Sequence, residues 1–528
     1  MVISPLSLRS DYWDTFSIQE KDLDYLYNQL LELETPLTTH ELAVMLVNER
    51  IKTEKKALEN RATADGKVYL PKEHYEVGDK LVFPALNWQK GKVTAVRPGF
   101  NPEMPSFEVI DVEFEKGSKR AFAGVLESHR LNEPVEIKID DPNLIPDQVM
   151  KKYGTGIARS LDASLKSNQD LVQIAARWFP RALLVDVNVG HLNLAEAVLD
   201  MAGGGPLPTK ALLDQVELPT DVNPKLTEFS MNHALQEDRR FDEVGPAGEV
   251  LWFLQRLEPA EIQTPPVYLR YVTVPYDPSL LTPEMVALEK ELDDELSPTQ
   301  EQDGHTSDTR ISLIFPHWRA GTLPLSSRVE HLLPTAYESP RVRFTLVDGE
   351  SGKKYDAWVV RPHRFVYGLR QWYEDQGVIP GSWIQVQPGK KPGEVVLRVE
   401  RRRSAREWIR TVLVGADGGI VYAMLKQVVA TTFDERMAIA IPDLSAVDAV
   451  WEQGSKSQKS FVAVVKNTMR ELAKLTPQGN VHAQELYAAV NVVRRSPPGP
   501  IFALLESDPT FNHIGDLYYR VNEGSDQE

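Results

Sequence analysis

The sequence predicts an α+β protein built from several small domains. Its 528 residues are more than one hydrophobic core supports, so the chain is expected to divide. A pattern of the form Leu-x-x-Asp-x-x-Phe-x-x-(Val/Ile)-Gly begins at Leu235 and again at Leu505, 270 positions further on. Repetition of a spaced pattern is typical of a duplicated module. Alternating apolar and polar residues at 342–360 and 383–399 predict the strands of a separate sheet.

The middle copy of the pattern closes a series of predicted helices. Apolar residues recur at helical spacing from Leu192 to Leu199, and the run Gly203-Gly204-Gly205 ends that helix. The predicted elements are helices at 192–199, 211–213 and 225–238 and a strand at 251–253.

The C-terminal copy repeats this layout, and a looser copy lies near the N-terminus. In the C-terminal copy, helices are expected at 461–472 and 485–487, with a turn at 476–480 and a strand at 517–519. Near the N-terminus, the turn at 35–39 resembles the turn at 206–209, because both contain Pro-Leu-x-Thr. The N-terminal elements are expected to be helices at 23–31 and 41–46, a basic third helix from Arg50, and a strand at 67–70.

A helix, a turn, Phe, Gly and a strand in this order are typical of the closing half of a winged helix. The copies resemble the helix-turn-helix family that includes the RNA polymerase delta subunit and the HARE-type modules of restriction and chromatin proteins. That resemblance covers about 70 residues per copy and implies contact with DNA or with RNA polymerase. Leu235, Phe241, Leu505 and Phe511 are themselves expected to be core residues, so function must come from surface residues.

A small β-domain is predicted after the N-terminal copy. Strands are expected at 75–83, 90–96 and 108–114, followed by Ala121-Phe122-Ala123. The segment Val77-Gly78-Asp79 and the later Gly91-x-Val93 are similar to the first hairpin of Tudor-like barrels, in which contact with protein is the leading expectation.

The segment 311–410 is basic in an acidic chain. It contains 17 Lys and Arg against 10 Asp and Glu, a charge of +7. Because the whole chain carries −17, the remaining residues together carry −24. A hairpin at 342–360, a short helix at 367–373 and paired strands at 380–386 and 395–399 give it an ordered layout. This layout resembles the DNA-binding pseudobarrel of plant transcription factors and certain restriction enzymes. The basic segment is therefore the part most expected to meet a polyanion.

The candidate DNA-binding residues fall into three groups. By the pseudobarrel resemblance, two arms would grip the major groove. An arginine-rich run with an aromatic neighbour follows the last barrel strand, where arginine can bond phosphate or guanine and Trp can stack on bases. The third group is the N-terminal basic helix. The residues are Lys353, Lys354, Arg361, His363, Arg364 and Arg370, then Arg401, Arg402, Arg403, Arg406 and Trp408 with Arg410 beside them, then Arg50, Lys52, Lys55 and Lys56.

Two of these groups have a plainer interpretation. The arginine-rich run could be a solvated basic helix face. Glu49, Glu54 and Glu59 are interleaved with the cations of the N-terminal helix, so that helix could be a salt-bridged solvent face instead of a groove reader. The third helix of the middle copy is more acidic still, so the middle and C-terminal copies are expected to contact protein or to act as scaffold.

The remaining segments are predicted to be connectors. Residues 171–179 are expected to be helical, and residues 258–310, with many carboxylates, are expected to form a flexible acidic linker. The predicted domains are winged helices at 1–72, 191–257 and 456–528, a barrel at 73–132, connectors at 133–190 and 413–455, the linker at 258–310 and the basic domain at 311–412.

Little in the sequence points to catalysis. Nucleotide-loop, zinc-protease and nucleophile-elbow motifs are not found, and the absence of Cys excludes thiolate chemistry. Asp111, Glu136 and Lys138 could form a magnesium-dependent nuclease set, but such triplets often arise by chance. No cofactor or metal is expected, no apolar run approaches the ~20 residues of a membrane span, and a cytoplasmic location is the default.

The function expected from the sequence is non-enzymatic DNA binding. The chain would regulate transcription or recognise a DNA site, for example within a defence or restriction system. An RNA polymerase accessory factor that acts through protein contacts is the alternative, and a nuclease subunit is a remote one.

Overall fold

The structure is a computed structural model of mixed α and β content, in which the chain forms two compact units. One unit contains residues 1–185 and 220–229, and the other contains residues 186–219 and 230–528. The structure describes residue 8 and residues 11–63, 66–86, 89–102, 105–114, 117–132, 141–216, 218, 223–298, 309–391, 393–416, 418–456 and 460–522.

The first unit combines a three-helix module with an inserted β-sheet. Its hydrophobic core includes Leu26, Leu30, Leu46, Leu161 and Trp178, all of which are buried. The elements are α1 Glu20–Leu33, β1 Leu37–Thr38, α2 Thr39–Thr63, β2 Lys67–Val68, β3 Lys80–Phe83, β4 Gln89–Pro98, β5 Glu108–Phe114, β6 Lys119–Gly124, α3 Pro146–Lys166, β7 Leu171–Ile174 and β8 Arg177–Pro180.

The inserted sheet separates α2 from α3. It has the strand order β2-β3-β4-β5-β6, and β4 to β6 confirm the strands predicted at 90–96, 108–114 and 121–123. The strand predicted at 75–83 is formed only over β3, at residues 80–83. Its core is largely aromatic: Phe83 lies 4.5 Å from Phe122 and 4.8 Å from Tyr69, measured between ring centroids. The strand predicted at 67–70 pairs in parallel with β3 of this sheet and does not close the N-terminal module.

The N-terminal module is closed by a hairpin far along the chain. β1 pairs with β8, and Leu37 lies opposite Trp178. The helix predicted over 171–179 is therefore wrong: these residues form β7, a turn at Ala175 and Ala176, and β8. Both alanines have positive φ, 49° and 58°, as a tight two-residue hairpin turn requires. Because Ala-Ala is not a usual turn signal, the apolar residues around it suggested a helix.

The second unit holds two further modules, a seven-stranded sheet and a long β-ribbon. α6 begins at residues assigned to the first unit. The elements are α4 Val189–Met201, β9 Leu207–Pro208, α5 Thr209–Leu213, α6 Pro224–Glu237, β10 Phe241–Glu243, β11 Leu251–Leu254, α7 Ala260–Gln263, α8 Pro283–Leu292, β12 Thr309–Ser312, α9 Phe315–Ala320, β13 Thr322–Pro324, α10 Ser327–Glu330, β14 Arg341–Asp348, β15 Lys354–Val360, β16 Phe365–Tyr367, α11 Arg370–Gln376, β17 Trp383–Pro388, β18 Glu394–Val399, β19 Arg401–Val414, β20 Ile420–Thr431, β21 Ile439–Ala440, α12 Leu444–Lys456, α13 Phe461–Ala473, β22 Val481–His482, α14 Ala483–Val493, α15 Pro498–Ser507, β23 Phe511–Gly515 and β24 Tyr518–Val521.

The same six-element order occurs three times: helix, strand, helix, helix, strand, strand. The N-terminal module is α1, β1, α2, α3, β7 and β8. The middle module is α4, β9, α5, α6, β10 and β11, and the C-terminal module is α13, β22, α14, α15, β23 and β24. In each, the first strand pairs with the last, so that an apolar residue lies opposite an aromatic one. These pairs are Leu37 with Trp178, Leu207 with Trp252, and Val481 with Tyr519.

Contacts of its threonine explain why the Pro-Leu-x-Thr turn occurs in the N-terminal and middle modules. Thr39 and Thr209 each start the second helix, and each hydroxyl accepts a hydrogen bond from the indole N–H of the paired Trp, at 3.0 Å from Trp178 and 3.2 Å from Trp252. The turn therefore provides both the apolar partner and the polar partner of one buried Trp.

The repeated Asp caps a turn between the third helix and the hairpin. The Asp238 carboxylate accepts the backbone N–H of Arg240 at 3.0 Å, and that of Asp508 accepts the N–H of Thr510 at 2.9 Å. The backbone N–H of Phe241 and of Phe511 then donates to the carbonyl of the same Asp, in both cases at 3.1 Å. Asx turns of this kind explain why the pattern needs Asp at that position.

The basic segment folds as a seven-stranded mixed sheet of order β12-β17-β18-β14-β15-β16-β13. The predicted hairpin is confirmed by the antiparallel pair β14–β15, and the predicted strand pair by β17–β18. Phe344, Trp372, Ile384 and Leu397 are buried in its core. The arginine-rich run that follows is a strand, β19, in a long antiparallel ribbon with β20, so the helix-face interpretation of it is wrong.

The prediction of a flexible acidic linker is wrong for residues 258–298, which carry α7 and α8 and several buried carboxylates. Asp294 and Glu295 lie 2.6 and 2.7 Å from the guanidinium of Arg495, and Glu295 also lies 3.1 Å from His317. The sequence suggested a solvated segment because the cation that pairs with these carboxylates, Arg495, lies about two hundred positions away. Residues 299–308, the rest of the low-complexity stretch, lie outside the described residues.

Candidate nucleic-acid interface

The third helix of the N-terminal module, α3, presents a basic face to solvent. Pro146 at its first position favours helix initiation, and Val149, Ile157, Leu161 and Leu165 are buried against the module core. The opposite face is exposed. The exposed polar residues of the helix are Asp147, Gln148, Lys151, Lys152, Thr155, Arg159, Ser160 and Lys166.

The cations of this face are defined here as Lys151, Lys152 and Arg159, and the charge of Asp14 acts on Lys152. No carboxylate in the described part of the chain forms an ion pair with any of the three. The ammonium of Lys152 lies 4.7 Å from the centre of the Tyr153 ring, and hydrogen bonding to Tyr153 raises the pKa of this lysine. Lys166, by contrast, pairs with Asp162 at 2.7 Å. α3 therefore offers three positive charges on the outside of one helix.

The cations predicted on the N-terminal basic helix lie on α2, which is the second helix of its module. Arg50 is nearly buried and forms an ion pair with Asp22 at 2.6 Å, so it stabilises the fold instead of facing solvent. Lys52 is exposed but lies 3.8 Å from Glu49. Lys55 is half-buried and Lys56 is exposed. α2 runs without a break to Thr63, so the basic residues do not form a separate third helix.

The two predicted arms of the basic sheet lie at opposite ends of β15. Lys353 precedes this strand and Lys354 begins it, and both are held by carboxylates, Asp375 at 2.6 Å and Glu394 at 2.7 Å. The hydrogen bond from Lys353 is the main reason that the pKa of Asp375 is lowered to about 2. Both lysines are therefore neutralised within the sheet.

The residues after β15 are less constrained. Arg361 and His363 are exposed, Arg364 is half-buried, and Arg370 is exposed at the start of α11. The guanidiniums of Arg361 and Arg370 donate to backbone carbonyls, at 3.1 and 3.3 Å, and neither forms an ion pair with a carboxylate of the described residues.

The arginines of the ribbon β19–β20 differ in whether they contact other side chains of the protein. Arg401 pairs with Glu350 at 2.8 Å and donates to Gln376, so it belongs to the same polar network as Lys353. Arg402 lies 4.5 Å from the centre of the Phe433 ring, and Arg410 is buried against Glu485 at 2.8 Å. Within the described residues, Arg403 and Arg406 are exposed and form no ion pair. They are the cations of the run available to a ligand.

Trp408 lies on the same face of the ribbon as Arg406. Opposite residues of an antiparallel ladder share a face, and the ladder pairs Arg406 with Val428 and Trp408 with Lys426. The Trp408 side chain is 60% exposed, and the ammonium of Lys426 lies 5.2 Å from its ring. An exposed indole beside these two cations can stack on a base or cover an apolar side chain.

The basic face of α3 was missed from the sequence, although a signal for it exists. Leu165-x-x-Asn168-x-x-Leu171-x-x-Ile174-Ala175 is a third copy of the repeated pattern, with Asn for Asp, Leu for Phe and Ala for Gly. The side-chain part of its cap is the same, because the Asn168 side chain accepts the N–H of Asp170 at 2.9 Å. Searching for the pattern with these substitutions would have located the N-terminal module's third helix before residue 165.

The nuclease triplet is only partly described. Asp111 lies on β5, 3.7 Å from Arg97, whereas Glu136 and Lys138 lie outside the described residues. Within the described ranges, no group of three or more His, Asp or Glu side chains is placed to hold a metal ion. None of the helices in those ranges is long and apolar enough to cross a membrane.

The comparisons with known proteins add no relative to these observations. No family model matches the chain, and no curated protein or solved structure matches it either.

Proposed function

We propose that this protein is a non-enzymatic DNA-binding protein that regulates transcription or recognises a DNA site. In this proposal the three modules are winged helices, the inserted sheet is a Tudor-like barrel, and the seven-stranded sheet is a DNA-binding pseudobarrel. The observation that carries the proposal is the exposed basic face of α3. In helix-turn-helix proteins, a helix of this kind lies in the major groove and contacts phosphates and base edges.

The other two modules are less suited to this role. The third helix of the C-terminal module, α15, buries Pro498 to Ala503 and Leu505 in the core, so it cannot enter a groove. The third helix of the middle module, α6, exposes Glu228 and Glu237 beside a single Lys225. These two modules act as scaffold or contact protein, and the N-terminal module reads the DNA.

The ribbon supplies a second contact. Arg403 and Arg406 are exposed and free of carboxylate partners in the described chain, and two-stranded ribbons fit the major groove. Cations already held in ion pairs would have to break them before binding phosphate, so Lys353 and Lys354 contribute less.

The test compares the two helices of the N-terminal module. Binding of a fluorescent duplex is followed by anisotropy as salt rises, using wild type, a Lys151→Ala/Lys152→Ala/Arg159→Ala variant and a control Lys52→Ala/Lys55→Ala/Lys56→Ala variant. Three phosphate contacts contribute about −2.7 to the slope of log affinity against log salt, which is roughly a 40-fold loss between about 50 and about 200 mM.

The α3 variant should lose most of that slope, and the α2 variant should retain it. The opposite result would place the contact on α2, as the sequence alone suggested. Salt-independent binding would reject phosphate contacts by these cations, and the absence of binding would reject DNA binding altogether.

An RNA polymerase accessory factor is the second candidate. The observation that favours it is the burial of α15 and the acidic surface of α6, which leave two modules for protein contacts. Co-purification with core RNA polymerase from a DNA-free lysate would support this candidate, and its failure would count against it.

A further inference from the structure

A cleft in the second unit is lined by more acidic than basic residues, unlike the basic surfaces of α3 and the ribbon. Its volume is about 1060 Å³, which is at the upper end for sites that hold small ligands. The ribbon contributes Trp408 and Met424 to the lining, and α8 contributes residues of one side. The loop 433–436 and the C-terminal module, including His482 and Tyr518, complete the lining.

Carboxylates outnumber cations in this cleft, six to three. Of the cations, Arg410 is bound to Glu485 at 2.8 Å, and Arg402 lies 3.6 Å from Glu407. Burial, reinforced by the nearby charge of Arg436, lowers the pKa of His482 to about 4, so this imidazole is neutral at pH 7. The carboxylates are Glu284, Glu291, Glu407, Asp434, Glu435 and Glu485, and the cations are Arg402, Arg410 and Arg436. The cleft therefore repels phosphate.

Part of this negative charge is free to bind a ligand. Glu284, Ala287 and Glu291 lie on one exposed side of α8, since they are separated by three and four residues. Among the described residues, neither Glu284 nor Glu291 forms an ion pair. Glu435 on the opposite loop is likewise exposed and without an ion pair.

The cleft also offers apolar contact area beside these carboxylates. The side chains of Trp408 and Met424 are 60% and 41% exposed, and both line it. Leu475 and Leu517 of the C-terminal module contribute further apolar surface. An exposed indole in the same cleft as unpaired carboxylates is an arrangement that binds apolar and cationic groups together.

We propose that this cleft binds a short segment of a partner protein in which an apolar side chain is flanked by Lys or Arg. The apolar side chain covers Trp408 and Met424, and the flanking cations pair with Glu284 and Glu291. Charge complementarity selects such a segment over nucleic acid or an acidic peptide. This site is distinct from the DNA contact proposed for α3, since none of the α3 cations lines it. Arg403 and Arg406 do not line it either, although Arg406 shares a face of the ribbon with Trp408.

The test uses the full chain and three labelled octapeptides of equal length. Their repeats are Lys-Leu-Lys-Ser, Glu-Leu-Glu-Ser and Lys-Ser-Lys-Ser, and binding is measured by anisotropy with unlabelled single-stranded DNA as competitor. The variants are Glu284→Gln/Glu291→Gln and Trp408→Ala. The matched control is Glu249→Gln/Glu374→Gln, which removes two exposed carboxylates that do not line the cleft.

We expect the Lys-Leu peptide to bind best. Each cleft variant should weaken it about tenfold, because two exposed ion pairs or one large apolar contact are worth about that much. The control variant should bind like wild type. Equal binding of the acidic peptide, unchanged affinity in both cleft variants, or displacement by the oligonucleotide would overturn the proposal.

Discussion

The carboxyl group of Glu243 makes the stability of the middle module depend on pH. It lies at the end of β10, where its Oε1 atom accepts the backbone N–H of Gly245 at 2.9 Å and of Leu251 at 3.5 Å. Burial is the main cause that raises its pKa from 4.5 to about 7, and the nearby Asp242 and Glu338 add to the rise. The hydrogen bonds from the two N–H donors lower the pKa of Glu243, but by less than burial and the neighbouring carboxylates raise it.

The direction of the pH dependence of stability follows from which state, folded or unfolded, holds the proton of Glu243. Between pH 4.5 and about 7 the unfolded segment releases the proton of Glu243, whereas the folded segment retains it. The stabilisation is therefore complete below pH 4.5 and is lost as pH rises to about 7. A rise in pKa of this size corresponds to about 3 kcal/mol.

Replacing Glu243 with Gln separates this titration from the hydrogen bonds. The amide oxygen can still accept both N–H groups, but it does not ionise. We expect wild type and Glu243→Gln to protect the hairpin 241–254 equally at about pH 4, and the variant to be more stable by about 3 kcal/mol at about pH 8.

Hydrogen exchange of peptides from this hairpin, compared between proteins at the same pH, measures the difference directly. Glu249→Gln, an exposed change in the connecting turn, is the control and should show no such dependence. The same wild-type-to-variant difference at both pH values would refute the reasoning.

Two further outcomes follow from the ion pairs of the second unit. Arg495→Met should destabilise this unit by about 3 to 5 kcal/mol, because it leaves Asp294 and Glu295 buried without their cation; urea unfolding measures this, and a loss near zero would contradict it. Arg403→Ala/Arg406→Ala should reduce the salt slope of DNA binding by about 1.8, whereas Lys353→Ala/Lys354→Ala should change it far less. Equal effects of the two pairs of substitutions would show that ion pairing within the sheet does not limit phosphate contact.

Local pattern predicted the elements of the middle and C-terminal modules because each module is nearly continuous in sequence. Helical spacing, the Pro-Leu-x-Thr turn and the Asp cap are all local signals, and each corresponds to a contact in the structure. In the N-terminal module the same signals are present but are divided by the inserted sheet. Leu37 pairs with Trp178, 141 positions away, so no local pattern could indicate that the two belong to one sheet.

Charge could be counted from the sequence, but its pairing could not. The cations Lys353, Lys354 and Arg401 appeared available because their partners, Asp375, Glu394 and Glu350, lie 22 to 51 positions away. The carboxylates of 289–295 appeared solvated for the same reason. Burial and pairing depend on tertiary contacts, and these decided which of the predicted residues remain candidates.

The three modules show how one scaffold supports different surfaces. All three keep the pairing that closes the sheet, with Leu or Val opposite Trp or Tyr, and bury the leucine that begins the repeated pattern: Leu165, Leu235 or Leu505. The outward face of the third helix is free to vary, since it takes no part in these contacts. It is basic and exposed on α3, acidic on α6, and covered on α15. Core positions therefore identify the repeat, and the differences between the third-helix faces are the reason that the DNA contact is proposed for only one copy.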